Sequence, residues 1–133
     1  YALQPAQPAP RALAWRLSRA RVLGLPAGLG SLRLRADARG ELALARLPRT
    51  LRVRFRAGGE SLRTQARGPT RRLKELLRAA GIPPWLRTSI PLIYAGARLV
   101  AVADLWVDAP WQATPRTRRR GRIEWRGRPP HLP

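Results

Sequence analysis

The run Gly81-Ile82-Pro83-Pro84-Trp85-Leu86-Arg87 constrains the fold of this chain more than any other feature, because it forces a helix to end and a strand to follow. Ahead of it, Leu73, Leu76, Leu77 and Ala80 fall at i, i+3, i+4 and i+7, the spacing of one helical face. Thr70, following Gly68-Pro69, is the expected N-cap. Gly81 can turn left-handed at the helix end, and Pro83-Pro84 forbids continuation because proline lacks an amide hydrogen and its ring clashes with the preceding turn. Trp85 and Leu86 are expected to cover the helix end in a short helical turn. Pro91 then opens an apolar strand over 91–94, which Ala95-Gly96-Ala97 turns back into strands at 99–103 and 105–107.

Upstream the apolar spacing changes from helical to alternating. Leu51, Val53 and Phe55 alternate with Arg52, Arg54 and Arg56, placing apolar side chains on one face of a strand and guanidiniums on the other. Gly58-Gly59 ends it. Before it, a β-like run starts at Val22, turns at Pro26-Ala27-Gly28, and continues with Leu32 and Leu34 between Arg33 and Arg35. Asp37-Ala38-Arg39-Gly40 is a second turn, so residues 31–45 read as a hairpin. A last strand can bury Ile123 and Trp125. The expected fold is α+β and strand-rich, with small β-sandwich-like sheets and one principal helix. Residues 1–20 read as a Pro/Ala-rich linker that Trp15 and Leu17 dock onto the first sheet. Residues 21–48 read as a β-hairpin segment, 49–127 as the main domain and 128–133 as a tail.

With 133 residues, 44% of them hydrophobic, the chain can hold one ordinary domain with a real core despite 14 prolines. There is no cysteine, which excludes disulfides, thiolate metal sites and thiol nucleophiles. The single histidine, His131, sits in a Pro-rich tail, so histidine-based catalysis and multi-histidine metal sites are excluded too. No apolar run approaches the roughly 18 residues of a membrane span, and no segment has the order of a signal peptide. The chain begins at Tyr1 and contains no methionine, so it is expected to be a fragment, with any catalytic apparatus upstream.

The formal charge is +20, from 27 Lys+Arg against 7 Asp+Glu, and Lys74 is the only lysine. Coding bias toward GC explains arginine over lysine but not the scarcity of acids. Guanidinium pairs bidentately with phosphate and releases counterions from nucleic acid, so RNA or another polyanion is the natural partner. The candidate residues are Arg71, Lys74 and Arg78 on the helix, Arg72 beside them, Arg52, Arg54 and Arg56 on the strand, and Arg87 in the breaker. A solvated helix face is the competing reading for the first group. For the strand, Glu60 or Glu75 could neutralise part of the charge. Arg116, Arg118, Arg119, Arg120 and Arg122 make either a phosphate-gripping loop or a disordered basic insertion.

Trp85, Trp106 and Trp125 sit in apolar strings and are expected in the core, leaving Trp111, between Pro110 and Gln112, open for nucleotide contact. Asp104 and Asp108 flank an apolar strand and are expected to terminate it rather than act as a carboxylate pair. Gly58-Gly59-Glu60-Ser61 lacks the Lys-Ser/Thr end of an ATP-binding phosphate loop and reads as a turn.

One resemblance gathers these pieces. Arg72-Leu73-Lys74-Glu75-Leu76-Leu77, then Gly81-Ile82-Pro83-Pro84-Trp85-Leu86-Arg87, then Ile90-Pro91-Leu92-Ile93-Tyr94 and Leu99-Val100-Ala101-Val102 resemble the C-terminal domain of bacterial tRNA(Ile)-lysidine synthetases, the TilS family. Arg52 to Arg56, Gly58-Gly59-Glu60 and residues 25–32 also suit it, so the resemblance covers roughly residues 20–126. It implies an ATP-dependent ligase that adenylates the wobble cytidine of the minor isoleucine tRNA with a CAU anticodon, which lysine then attacks. That chemistry belongs to an N-terminal PP-loop domain with a Ser-Gly-Gly-x-Asp-Ser motif, absent here. ATP and lysine are therefore implied for that domain, not for this chain. The implied role here is to grip tRNA away from the anticodon, at the acceptor stem, beside its own catalytic domain in the cytoplasm. The family's domain also resembles one of the phenylalanyl-tRNA synthetase β chain, a three-layer α+β fold. A homo-oligomer, a stand-alone ribosome-associated RNA-binding protein and an intramolecular docking module remain as alternatives.

Overall fold

The computed structural model describes residues 12–130 and 132. The expectations for residues 1–11 and for His131 lie outside them. Eleven strands and two α-helices follow in the order β1 (Leu13–Arg16), β2 (Val22–Gly24), β3 (Ser31–Ala36), β4 (Leu42–Ala43), β5 (Thr50–Phe55), β6 (Ser61–Leu62), β7 (Arg71–Arg72), α1 (Leu73–Ala79), α2 (Pro84–Arg87), β8 (Pro91–Ala95), β9 (Arg98–Val102), β10 (Trp106–Val107) and β11 (Arg120–Arg126). They form an antiparallel five-stranded sheet ordered β1-β5-β8-β9-β10, a four-stranded sheet ordered β2-β3-β11-β4, and the small ribbon β6-β7. The strand-rich α+β expectation with one principal helix is borne out.

The first correction is at the start. Leu13–Arg16, inside the segment read as linker, is an edge strand whose Trp15 lies opposite Leu51 and is 1% exposed. The Trp15 indole donates to the Ala20 carbonyl at 3.1 Å, which closes the next turn over it. Burial of a large side chain is worth about 1.5–3 kcal/mol, enough to hold a four-residue strand that has only one neighbour. Flanking Pro and Ala hid this strand from a reading based on composition.

The second correction concerns the hairpin at 31–45. β3 pairs with β2 and β11, whereas β4 pairs with β11 at Arg120↔Ala43 and Gly121↔Leu42. β11 thus inserts between β3 and β4. Gly121 permits the insertion, because a Cβ there would meet the Arg35 carbonyl oxygen at 2.6 Å. Segment 21–48 and the end of the chain therefore build one sheet, and Leu32, Leu34, Ile123 and Trp125 share a core with Leu51, Val53, Ile93 and Leu77.

Around the breaker, the helix begins later than expected. Thr70 is no N-cap: Arg71 and Arg72 pair with Leu62 and Ser61 as β7, and α1 starts at Leu73 with no side-chain cap. The Leu73 amide instead donates to the Glu60 carbonyl at 2.9 Å. Leu73, Leu76 and Leu77 are buried as expected, while Ala80 is exposed. The end is a Schellman motif. Gly81, at φ 74°, donates to Arg78 O, and Ile82 donates to Leu77 O, each at 3.0 Å. Ile82 buries its side chain, and Pro83-Pro84 then start α2. In β8 and β9, Leu92 and Val102 are opposite in register, as are Ile93 and Ala101, and all four are buried. Since neighbours along a strand point to opposite faces, the middle of the larger sheet is covered on both sides.

Candidate nucleic-acid interface

The arginines of β5 emerge on a face that the sequence defined only in part. Leu51, Val53 and Phe55 are buried, whereas Arg52 and Arg54 are exposed, so the alternation holds. Ala14 and Tyr94 flank Arg52 in register, which puts Arg16 of β1, Arg52, Arg54 and Tyr94 on one side of the sheet. Arg16 was hidden because its strand was read as linker. Arg54 stacks its guanidinium over the Tyr94 ring, 5.1 Å from the centroid.

Arg56 departs from this group. It is half-buried and faces Glu60 Oε1 at 3.9 Å, with its Nε lacking a hydrogen-bond partner among the described residues. Glu60 thus neutralises one of the three strand arginines. Its Oε2 also accepts the backbone amides of Ala57 at 2.9 Å and Gly58 at 3.1 Å. The glycine loop therefore spends these amides on its own carboxylate rather than cradling a phosphate, and Ser61, read with the turn, already opens β6.

The helical group does not form one face. Lys74 and Arg78 lie four apart on α1 and are exposed, with Glu75 also exposed between them. Arg71 and Arg72 are exposed on β7, where neighbouring side chains point to opposite sides. Arg87 is half-buried, and its Nε donates to the Ile82 carbonyl at 3.0 Å, pinning α2 back onto the breaker.

A second basic face lies on the smaller sheet. Arg33 and Arg35 of β3 stand opposite Glu124 and Arg122 of β11, with Arg126 beyond, while Leu32, Leu34, Ile123 and Trp125 point inward. Glu124 is shared by Arg35 at 3.7 Å and Arg126 at 3.9 Å, and Asp37 takes Arg122 at 2.7 Å. Two carboxylates serve three of these arginines, Arg33 is within ion-pair distance of neither, and Arg35 and Arg122 are directly opposed. Like charges so placed repel, so the sheet holds guanidinium donors that its own acids do not use. The alternation of Arg33 and Arg35 signalled half of this face; the other half required knowing that β11 pairs with β3. Arg120 and Arg122 belong to this strand, and Arg120 donates to Gly40 O at 2.9 Å, so only Arg116, Arg118 and Arg119 remain in the preceding loop, all exposed.

The tryptophans exchange roles. Trp111, held open for a nucleotide, packs against the core with its indole nitrogen buried. Trp125 is buried as expected and Trp106 packs at the core margin, but Trp85 is 75% exposed. Asp104 and Asp108 serve structure. Asp104 pairs with Arg128 and accepts the Trp125 amide at 3.3 Å, and Asp108 accepts the Arg63 amide at 2.8 Å. Among the described residues no group of His, Asp or Glu could hold a metal ion.

The architecture defines a small, strongly basic α+β domain of two antiparallel sheets and a short ribbon with one principal helix. The chain belongs to the TilS substrate C-terminal domain family, whose model matches residues 51–131. It is 39% identical over 89 residues to the tRNA(Ile)-lysidine synthase of Vibrio cholerae, covering 67% of this chain and 20% of that protein. The Shigella flexneri protein of the same name is 40% identical over 85 residues, 64% of this chain and 19% of that one. The Xylella fastidiosa protein is 48% identical over 63 residues, 47% of this chain and 14% of that one. The chain spans at most about 20% of these relatives. A crystal structure of a TilS C-terminal domain superposes with a TM-score of 0.64 at 25% identity, covering 85% of this chain and 94% of that one. The family model starts within β5, so β1 to β4 lie outside the family pattern.

Proposed function

We propose that this chain is the tRNA-gripping C-terminal region of a tRNA(Ile)-lysidine synthase, the ATP-dependent ligase that joins lysine to the wobble cytidine of the minor isoleucine tRNA with a CAU anticodon. The bond-forming chemistry, with its ATP and lysine, lies in an N-terminal PP-loop domain, and this region holds the RNA for it as a non-catalytic partner in the cytoplasm. Among the described residues no helix is long and apolar enough to cross a membrane.

The observation that carries the reading is the surplus of guanidiniums on two rigid sheet faces. Among the described residues, Arg16, Arg33, Arg52 and Arg54 have no carboxylate within ion-pair distance, and Arg35, Arg122 and Arg126 share two. A-form RNA hides its base edges in a deep groove and is gripped through phosphates and shape, which is what flat, fixed arrays of guanidinium offer. Lys74 and Arg78 on α1 and Arg71 and Arg72 on β7 add further exposed positive charge.

Filter binding of tRNA to the chain over a salt series tests this. Affinity is expected to fall steeply with salt, and replacing Arg16, Arg52 and Arg54 by Gln is expected to reduce the log–log slope by about 0.7–0.9 for each phosphate that is no longer neutralised. A flat salt response in the unaltered chain sinks the reading.

A further inference from the structure

Among the described residues, Trp85 is the largest side chain that the fold leaves in water, and its mount is unusually fixed. The Schellman motif sets the position of Ile82, and Pro83 and Pro84 fix the backbone into α2. Leu86 N donates to Pro83 O and Ser89 N to Leu86 O, both at 3.0 Å, while Arg87 ties the turn to Ile82 O. Leu86 is half-buried against the core, so α2 has an inner side and an outer side, and Trp85 is on the outer one at 75% exposure. Its indole makes no hydrogen bond with the described residues, whereas the indoles of Trp15 and Trp125 donate to backbone carbonyls. The segment presents a ring and spends nothing of it on the fold.

The surroundings select what would cover that ring. The exposed residues nearest it in sequence, Gly81, Pro84 and Thr88, include no second large apolar side chain, whereas a protein interface core gathers several. From Glu75 to Asp104 the chain has no acid between, while Arg78 lies in the last turn of α1 just ahead of the breaker and Arg87 within α2 itself. A lone, rigid aromatic in a cationic setting suits a ligand with a flat π-face and a phosphate beside it. In a duplex those faces are occupied by neighbouring pairs, so the base must be unpaired.

We propose that Trp85 is a stacking platform for an unpaired base of the bound RNA, a contact distinct from the phosphate grip of the arginine faces. The inference rests on the RNA-binding reading above, and its test separates the two. Affinity is measured for two hairpins with the same stem, each closed by a non-nucleotide linker in place of a loop, one blunt and one with a short single-stranded 3′ extension, using the unaltered chain, Trp85→Ala and Trp85→Phe. Trp85→Ala is expected to weaken binding of the extended hairpin about 5- to 150-fold, the range seen when a stacking aromatic is removed. Binding of the blunt hairpin should change less than about twofold, the salt slope should stay the same because the same phosphates are neutralised, and Trp85→Phe should restore most of the affinity. Unchanged melting of Trp85→Ala, as for other surface substitutions, confirms that folding is intact.

Equal weakening on both hairpins overturns the proposal. So does no weakening on either; loss of association with the catalytic half in that case would assign Trp85 to a protein contact. If the unaltered chain binds neither hairpin, the RNA-binding reading itself fails and takes this inference with it.

Discussion

The guanidinium of Arg54 lies over the ring of Tyr94, 5.1 Å from its centroid, across two neighbouring strands of the larger sheet. The ring holds the cation by its face and leaves the guanidinium edge, with its donors, toward solvent. The sheet thereby presets a phosphate contact without a carboxylate competing for it. Exposed cation–π pairs are worth about 0.5–1 kcal/mol. Tyr94→Leu is therefore expected to weaken tRNA binding about two- to fivefold, by loosening Arg54. In an Arg54→Ala background it should have no further effect, which a double-mutant cycle by filter binding checks.

Tyr94 also gives a pH signature. Burial raises its phenol above the ordinary value near 10, Glu60 pushes it the same way, and Arg54 opposes both. A raised value means the folded chain holds the proton more tightly than the unfolded chain. The contribution to stability is complete below pH about 10 and is lost as pH rises through the folded value. With Tyr1→Phe removing the other tyrosine, absorbance at alkaline pH should show Tyr94 ionising later in the folded chain than in urea. Tyr94→Phe should flatten the alkaline loss of stability.

At the acid end the relevant group is Asp37. The Arg39 amide, donating to Asp37 at 2.8 Å, holds its carboxyl below the usual value most strongly; partial desolvation opposes this, and the charges of Arg122 and Arg35 add to it. A depressed value means stability that is present above the unfolded value near 3.8 and lost as pH falls through the folded one. Asp37→Asn should lower the melting temperature at neutral pH. The gap from the unaltered chain should close as the pH falls below that range, in a thermal-melt series across acid pH.

The sequence carried the parts of the fold that depend on neighbours along the chain. Leu51, Val53 and Phe55, the leucines of α1 and the stop at Gly81 were legible because period and backbone chemistry are local. What escaped was set by partners far away. β4 holds two residues, too few to show a pattern, and its place beside β11 depends on Gly121. Trp15 was expected to dock on the first sheet, but the strand Leu13–Arg16 that carries it lay hidden among prolines and alanines. Trp85 and Trp111 were transposed for the same reason: an apolar string around a tryptophan does not say which side of a turn faces the core. The arginine face of β5 was legible in Arg52 and Arg54, while the face on β3 and β11 needed the register Arg35↔Arg122.

Gly28 and Gly30 sit in the same turn between β2 and β3, both left-handed at φ 70° and 80°, and together they separate backbone strain from close approach. A Cβ on Gly28 would meet nothing within 4 Å, whereas one on Gly30 would lie 1.9 Å from the Arg126 carbonyl oxygen. Gly28→Ala carries only the left-handed penalty, about 1–2 kcal/mol. Gly30→Ala carries that penalty and must also push the turn away from the end of β11, where Trp125 donates its indole N–H to Leu29 O at 2.7 Å. Urea unfolding should therefore show Gly30→Ala destabilised by at least about 2 kcal/mol more than Gly28→Ala, since opening the turn also exposes part of a buried tryptophan. Equal losses would mean that the turn does not rest on β11. The register that sets Arg33, Arg35, Arg122 and Arg126 on one face would then have to be drawn again.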